Sequence, residues 1–338
     1  MIRRGAFVFI AIAAAVLISQ RFPVSADSPS PAPLLLVANQ TDRTVSVIDP
    51  AAGQQIAAIP EGETTGHEVI VSSDGSTAYV PIYGNSGVGK PGTDGSLMEV
   101  IDVPSRKVTG KVDFGHGVRP HCPKINPRDG MLYVTTELDQ TVTVIDPKTL
   151  KIVGTVPTGA KESHMLAITH DGRRGYTANV GVGSVSVLDL VARKTVAVIP
   201  VSGMTQRISL SADDKLVFTA DQTKPQVAVI DTATNNIKEW IALPAIGYGT
   251  TPTPDGRWLL VAMQPSKQVA VVDLKTMKVA KTIDVAAPPT EIVISPDGKM
   301  AYASMPTGGS VAAIQLGDWV VSKTIAAGKG ADGLAWAK

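Results

Sequence analysis

From residue 34 onward the chain alternates apolar and polar positions in short runs, and no long stretch carries the spacing of an amphipathic helix. One alternation ends repeatedly in Asp. It occurs as Val45-Ser46-Val47-Ile48-Asp49 and Met98-Glu99-Val100-Ile101-Asp102, then as Val142-Thr143-Val144-Ile145-Asp146 and Val185-Ser186-Val187-Leu188-Asp189. Val227-Ala228-Val229-Ile230-Asp231 and Val269-Ala270-Val271-Val272-Asp273 follow, with a degenerate copy at Val311-Ala312-Ala313-Ile314-Gln315. The spacings are 53, 44, 43, 42, 42 and 42 residues. A second marker keeps the same beat: a turn at Asp74-Gly75, Asp129-Gly130, Asp171-Gly172, Asp213-Asp214, Asp255-Gly256 and Asp297-Gly298.

A period near 42 residues with four short strands per unit predicts a β-propeller. In the last full unit, strand one is Glu291-Ile292-Val293-Ile294-Ser295, turned by Pro296-Asp297-Gly298, where Gly accepts a positive φ. Strand two is Ala301-Tyr302-Ala303, and strand three ends at the repeat Asp, whose side chain is placed to cap the next turn. A fourth strand of the type Lys278-Val279-Ala280-Lys281-Thr282-Ile283 completes a unit. The first unit opens directly on strand two, at Leu34-Leu35-Leu36-Val37-Ala38-Asn39. The chain ends on an orphan strand one, Gly333-Leu334-Ala335-Trp336-Ala337-Lys338. The expectation is an all-β, seven-bladed propeller over residues 34–338, with blade 1 closed by the C-terminal strand so that no sheet edge stays open.

The units resemble the YVTN family of β-propeller repeats, through Ser-Pro-Asp-Gly, then Tyr-Val/Ala-x-Asn, then Val-x-Val-Ile-Asp. Tyr133-Val134, Tyr176-Thr177-Ala178-Asn179 and Val37-Ala38-Asn39 carry the likeness, which covers residues 34–338. The resemblance implies the fold. Surface-layer, periplasmic binding and lactonase-like proteins share the repeat, so it does not choose an activity.

Composition agrees with many short strands: 44% hydrophobic residues rich in Val, Ile and Ala, 18% charged, 31 Gly and 24 Pro. A repeat architecture also explains how 338 residues form one body.

Ahead of the repeats, Arg3 and Arg4, the apolar run Ala6–Ile18 and Val24-Ser25-Ala26 read as a cleaved signal peptide over residues 1–26. The run is short for a membrane span, so no span is expected after cleavage. Residues 27–33 read as a stiff Pro/Ser linker. The expected location is periplasmic or secreted. Without Arg3, Arg4 and Arg21 the chain carries 28 basic against 30 acidic residues, which counts against nucleic acid as a main partner. The single Cys122 excludes an intramolecular disulfide and any CxxCH haem attachment.

The chemistry-bearing position lies just before strand one. Counting back four residues from the apolar residue before each turn gives His67, His121, His164, Gln206, Tyr248, Thr290 and Asp332. Three consecutive blades thus present His at one rotational position, at one mouth of the channel. Glu68, Arg119, Arg207 and Glu291 are their neighbours. The adjacent loop ring carries Asn39, Tyr83, Glu137, Asn179, Asp221, Met263 and Met305. The blade 2 loop after Tyr83 is enlarged by about 11 residues and is Gly-rich, which suits a flexible flap or a merely tolerated insertion. His67, His121 and His164 are candidate ligands of a divalent metal, with iron, copper and zinc all reasonable. Alternatively Glu68, Arg207 and Glu291 are candidates for acid–base chemistry of a hydrolase or lyase kind, with Arg119, Tyr248, Glu137 and Asp221 contacting a small ligand such as a lactone or ester. A third reading is a plain polar lining that bonds to itself and to water. A different class stays open as well: a non-enzymatic interaction scaffold for a protein, a cell-surface polymer or nucleic acid, the last disfavoured by the charge balance. No HExxH, GxSxG or phosphate loop is present. His170 is expected at an exposed turn, idle, and Cys122 inside a blade.

Overall fold

The computed structural model describes Met1, 32–62 and 65–337. The signal-peptide reading and most of the linker reading fall on residues 2–31, outside the described residues. No helix among the described residues is long and apolar enough to cross a membrane.

Seven antiparallel four-stranded sheets form the blades. In blade 1, β1 (Leu34–Asn39), β2 (Thr44–Asp49) and β3 (Gln54–Pro60) are joined by β28 (Ala331–Ala337), which pairs antiparallel with β1. The C-terminal strand therefore closes the ring, as the repeat count predicts. The other six blades each follow sequence order. Their innermost strands are β4 (Ile70–Val71), β8 (Pro120–Ile125), β12 (Ser163–Ile168), β16 (Thr205–Leu210), β20 (Thr250–Pro252) and β24 (Ile292–Ile294). With β28 they line the channel.

The sequence pattern explains which strands lie deep. Strands two and three of a blade are covered on both faces by neighbouring blades, so even polar positions such as Ser46, Thr143 and Ser186 are buried. β21 (Trp258–Met263), WLLVAM, is buried from its second residue on. Fourth strands are largely exposed and can alternate, as in β15 (Lys194–Pro200), because their outer face meets water. In every blade the pairing of strands three and four slips by one residue, as between Val47 and Ile48. Such a bulge bends and twists the outer strand. Tyr133, Leu166, Tyr176, Val187 and Ile208 interdigitate in one of the inter-blade cores, and Cys122 is packed among them as expected. Burying each large apolar side chain of this kind stabilises by ~1.5–3 kcal/mol.

The repeat aspartates cap turns. Asp49 accepts from the Ala52 N–H, Asp146 from Lys148 N–H and the Thr149 hydroxyl, and Asp231 from Ala233 N–H and Thr234. At the other turn a hydroxyl two residues ahead braces the Asp: Thr169 to Asp171, Ser211 to Asp213, Ser295 to Asp297. These devices repeat blade after blade.

Candidate functional site

Strand one of each blade runs from one mouth of the channel, here the upper one, towards the Asp-Gly turns. Residues early in strand one thus lie at the upper mouth, later ones lower down. Arg119 and Glu162 stand two residues before His121 and His164, and both take left-handed backbone (φ 50° and 54°) that turns the chain into the channel.

At the upper end the rings of His67, His121 and His164 meet that of Tyr83. His121 and His164 stack, with centroids 3.6 Å apart and planes at 28°. His67 stacks on Tyr83 at 4.7 Å. The two pairs cross edge to face, with His67 to His121 at 5.5 Å and Tyr83 to His121 at 5.3 Å. Glu137 locks the group: its Oε2 accepts from the Tyr83 hydroxyl at 2.8 Å and from His164 Nδ1 at 3.0 Å. That bond puts the His164 proton on Nδ1 and leaves Nε2 the lone pair.

Burial holds all three imidazoles neutral. It lowers His67 to about 3, helped by His164 and Arg207. It lowers His121 well below the usual imidazole range, again with His164, His67 and Arg207 opposing a charge. His164 is lowered less, because Glu137 works against the burial. His121 and His164 are each 2% exposed, whereas His67 is half-buried and lines a cleft of about 670 Å³ with Gln40, Thr65, Gly84, Ser86 and Gly87.

The divalent-metal expectation does not find its geometry. Near-parallel rings stacked at 3.6 Å hold their nitrogens side by side, whereas a shared ion needs them converging on one point at ~2.0–2.1 Å. Among the described residues no group of three His, Cys, Asp or Glu is arranged to hold a metal ion.

One level lower, Arg207 from β16 occupies the axis. Its Nη2 lies 2.8 Å from Glu68 and 2.7 Å from Asp332, and its Nη1 3.6 Å from Glu291. The guanidinium sits 5.6 Å from the Tyr248 ring centroid. Blades 1, 2, 5, 6 and 7 thus share one charge cluster. Burial raises Glu68 well above the usual carboxylate range, with Arg207 opposing and Glu291 and Asp332 reinforcing. Asp332 is raised by burial to about 6, against the pull of Arg207. Burial disfavours the Arg207 charge, but Glu68, Asp332 and Glu291 outweigh it and lift its pKa well up.

The remaining expected residues divide. Arg119 stays beside the imidazole group, with Nη1 3.6 Å from Glu137 Oε1 and the guanidinium 5.8 Å from the Tyr83 ring centroid, while its Nε bonds Asp94 at 2.6 Å and its Nη1 and Nη2 donate to the Gly87 and Lys90 carbonyls. It thereby pins the blade 2 insertion that the glycines had marked as a flexible flap. Asp221 is not brought to the channel cluster. Its oxygens accept from Thr223, Lys224 and Gln226 in its own loop. Met263 and Met305 are wholly buried packing residues. His170 is exposed at its turn, where its N–H and ring meet Asp214 of the next blade.

Sequence reasoning left three contributors out of the site. Tyr83 and Asp332 stood in the aligned rings and were passed over. Lys124 gave no ring signal: it lies three residues past His121 on β8, where a pairing shift between Pro120 and Pro123 breaks simple alternation.

Residues 125–252 match the profile of the Cytochrome D1 heme domain family. No curated protein matches the chain. Among solved structures, hydrazine synthase of Kuenenia stuttgartiensis is similar at 20% identity, over 74% of this chain and 76% of that one, with a TM-score of 0.63. A functionally unknown protein from Desulfotomaculum acetoxidans DSM 771 is similar at 13% identity over 90% of this chain and 98% of that one, TM-score 0.75. The dihydro-heme d1 dehydrogenase NirN, in complex with DHE, is similar at 15% identity over 89% of this chain and 74% of that one, TM-score 0.65. At these identities the likeness concerns the propeller fold.

Proposed function

We propose that this chain is an exported propeller of the YVTN repeat kind that binds a planar, heme-type tetrapyrrole in the cleft over the upper mouth, with His67 as the group that meets it. The observation that carries the reading is the division of labour among the imidazoles. His121 and His164 are buried against each other, while His67 alone keeps exposure, stays neutral and borders a cleft of ligand size. A bare ion needs several converging donors, but a tetrapyrrole iron brings four of its own nitrogens and needs one imidazole. The residues present fit that need: a neutral nitrogen donor braced by Tyr83, beside the small side chains of Gly84, Ser86 and Gly87. When bound, such a group would supply redox or ligand-exchange chemistry at its iron. The partial match to a heme-domain family favours this class over other flat ligands.

Titrating the purified protein with hemin tests the reading. One equivalent should bind with a changed Soret absorption, and no spectral change would overturn it. Residues 1–26 act as the signal peptide, and residues 27–33 as the linker to the propeller at 34–338. The mature protein recovered outside the cytoplasm should begin at Asp27 by mass spectrometry, and an intact residue 1–26 segment there would contradict this.

A second reading rests on Glu68, whose pKa burial raises above the usual carboxylate range while Arg207, 2.8 Å away, works against it. In this reading Glu68 serves as a general acid for a lactone or ester. Hydrolysis of such substrates by the hemin-free protein, lost in Glu68→Gln, would support it, and absent turnover would remove it.

A further inference from the structure

Below the Arg207 cluster the channel widens into a cavity of about 480 Å³ that runs towards the Asp-Gly turns. We propose that this lower half is a second ligand site, separate from the His end, which takes a small organic carboxylate with its acid group on Lys124 and its body against the apolar wall.

The hydrogen-bond census of the walls decides the chemistry. The hydroxyls are used internally: Ser209 and Thr250 bond each other at 2.8 Å, and Thr251 donates to the Ile292 carbonyl at 2.6 Å. Glu291 Oε2 accepts from the Leu334 N–H at 2.7 Å. Arg207 Nη2 is shared by Glu68 and Asp332. Two cationic donors are left over. Lys124 lines the cavity and makes no direct hydrogen bond or ion pair among the described residues, the Glu291 and Glu68 carboxylates acting on its charge only from a distance. Arg207, 4% exposed, keeps Nε and Nη1 buried with no hydrogen-bond partner. Buried donors without partners are costly, by ~1–3 kcal/mol each and more when charged, so a cavity holding them is built for an acceptor.

That acceptor has an apolar body. Ile208, Leu210, Ile292, Ile294 and Trp336 form most of the lower wall. An inorganic anion would leave this surface wet, whereas a carboxylate on an aliphatic or aromatic frame uses both the donors above and the apolar wall below. A volume of about 480 Å³ is in the range of small-molecule sites.

Isothermal titration of the intact protein with hexanoate, benzoate and neutral hexanamide tests the assignment. Hexanoate or benzoate should bind, with hexanamide weaker by about tenfold or more, the scale of one charge-assisted bond. Lys124→Gln should weaken the acids by a similar factor and leave hexanamide unchanged. Ile294→Trp, which fills the lower channel without touching the charges, should abolish binding and keeps the test alive if Lys124→Gln fails to fold. His67→Ala should change nothing. Absence of acid binding by the unmodified protein, equal binding by folded Lys124→Gln, or loss in His67→Ala would each overturn the proposal.

Discussion

The rim of this molecule and its axis are built on opposite plans. At the rim one device recurs from blade to blade: an Asp at the end of strand three caps its own turn, two to three residues away, in water. On the axis no chemistry recurs in every blade. The same register holds His in blades 2, 3 and 4, then Gln206, Tyr248, Thr290 and Asp332. Its bonds join residues as far apart in sequence as Arg207 and Asp332, 125 positions. Repetition marks what the fold needs in every blade. Departure from it, inside a buried channel where each unpaired charge is costly, marks what the fold does not need.

If that division is right, single changes at the axis should cost far more than single changes at the rim. Arg207→Ala is expected to have the largest effect, about 3–5 kcal/mol in urea unfolding, because it strands buried Glu68 and Asp332 without their cation. Glu137→Ala should cost about 1–3 kcal/mol, since it leaves the Tyr83 hydroxyl and His164 Nδ1 without an acceptor. Asp231→Ala at the rim should cost clearly less than either, because water replaces the bonds its exposed cap loses. Axis changes that prove as mild as the rim change would erase the distinction.

The titration of the axis sharpens it further. His121 and His164 are neutral in the fold, with pKa values below the unfolded value. Their contribution is full above about pH 6.5 and is lost as pH falls towards the folded values, at up to about 1.4 kcal/mol per pH unit per group. Glu68 and Asp332, raised in the fold, act in the other sense: their contribution is full below about pH 4 and is lost as pH rises towards the folded values, about 6 for Asp332. His121→Gln should therefore flatten the acid side of the stability curve between pH 6.5 and 5, read as melting temperature against pH. An unchanged slope would mean that His121 is not a buried neutral group. Asp231→Ala should leave that slope untouched.

The fold was legible because its signal is written seven times. The beat of about 42 residues, the turn pairs and the orphan strands at the two ends sufficed to close blade 1 with β28. Counting within that beat aligned His67, His121 and His164, whose neighbouring rings lie 3.6 and 5.5 Å apart. What a beat cannot carry is side-chain direction. Asp221 shares a ring position with Glu137, yet a nearby Thr223 and Gln226 draw it into its own loop. Arg119 lies two residues before the aligned ring position and Arg207 one after it, so the first meets Asp94 and Glu137 and the second Glu68 and Asp332. Lys124 became visible only once the shift in β8 was known.

The central claim is that His67 is the working member of the imidazole group. Hemin titration of the unmodified protein beside His67→Ala, followed at the Soret band, tests it most directly. The account predicts stoichiometric binding to the first and a loss of about tenfold or more in affinity, with an altered band, for the second. The same affinity and spectrum in both proteins would contradict it.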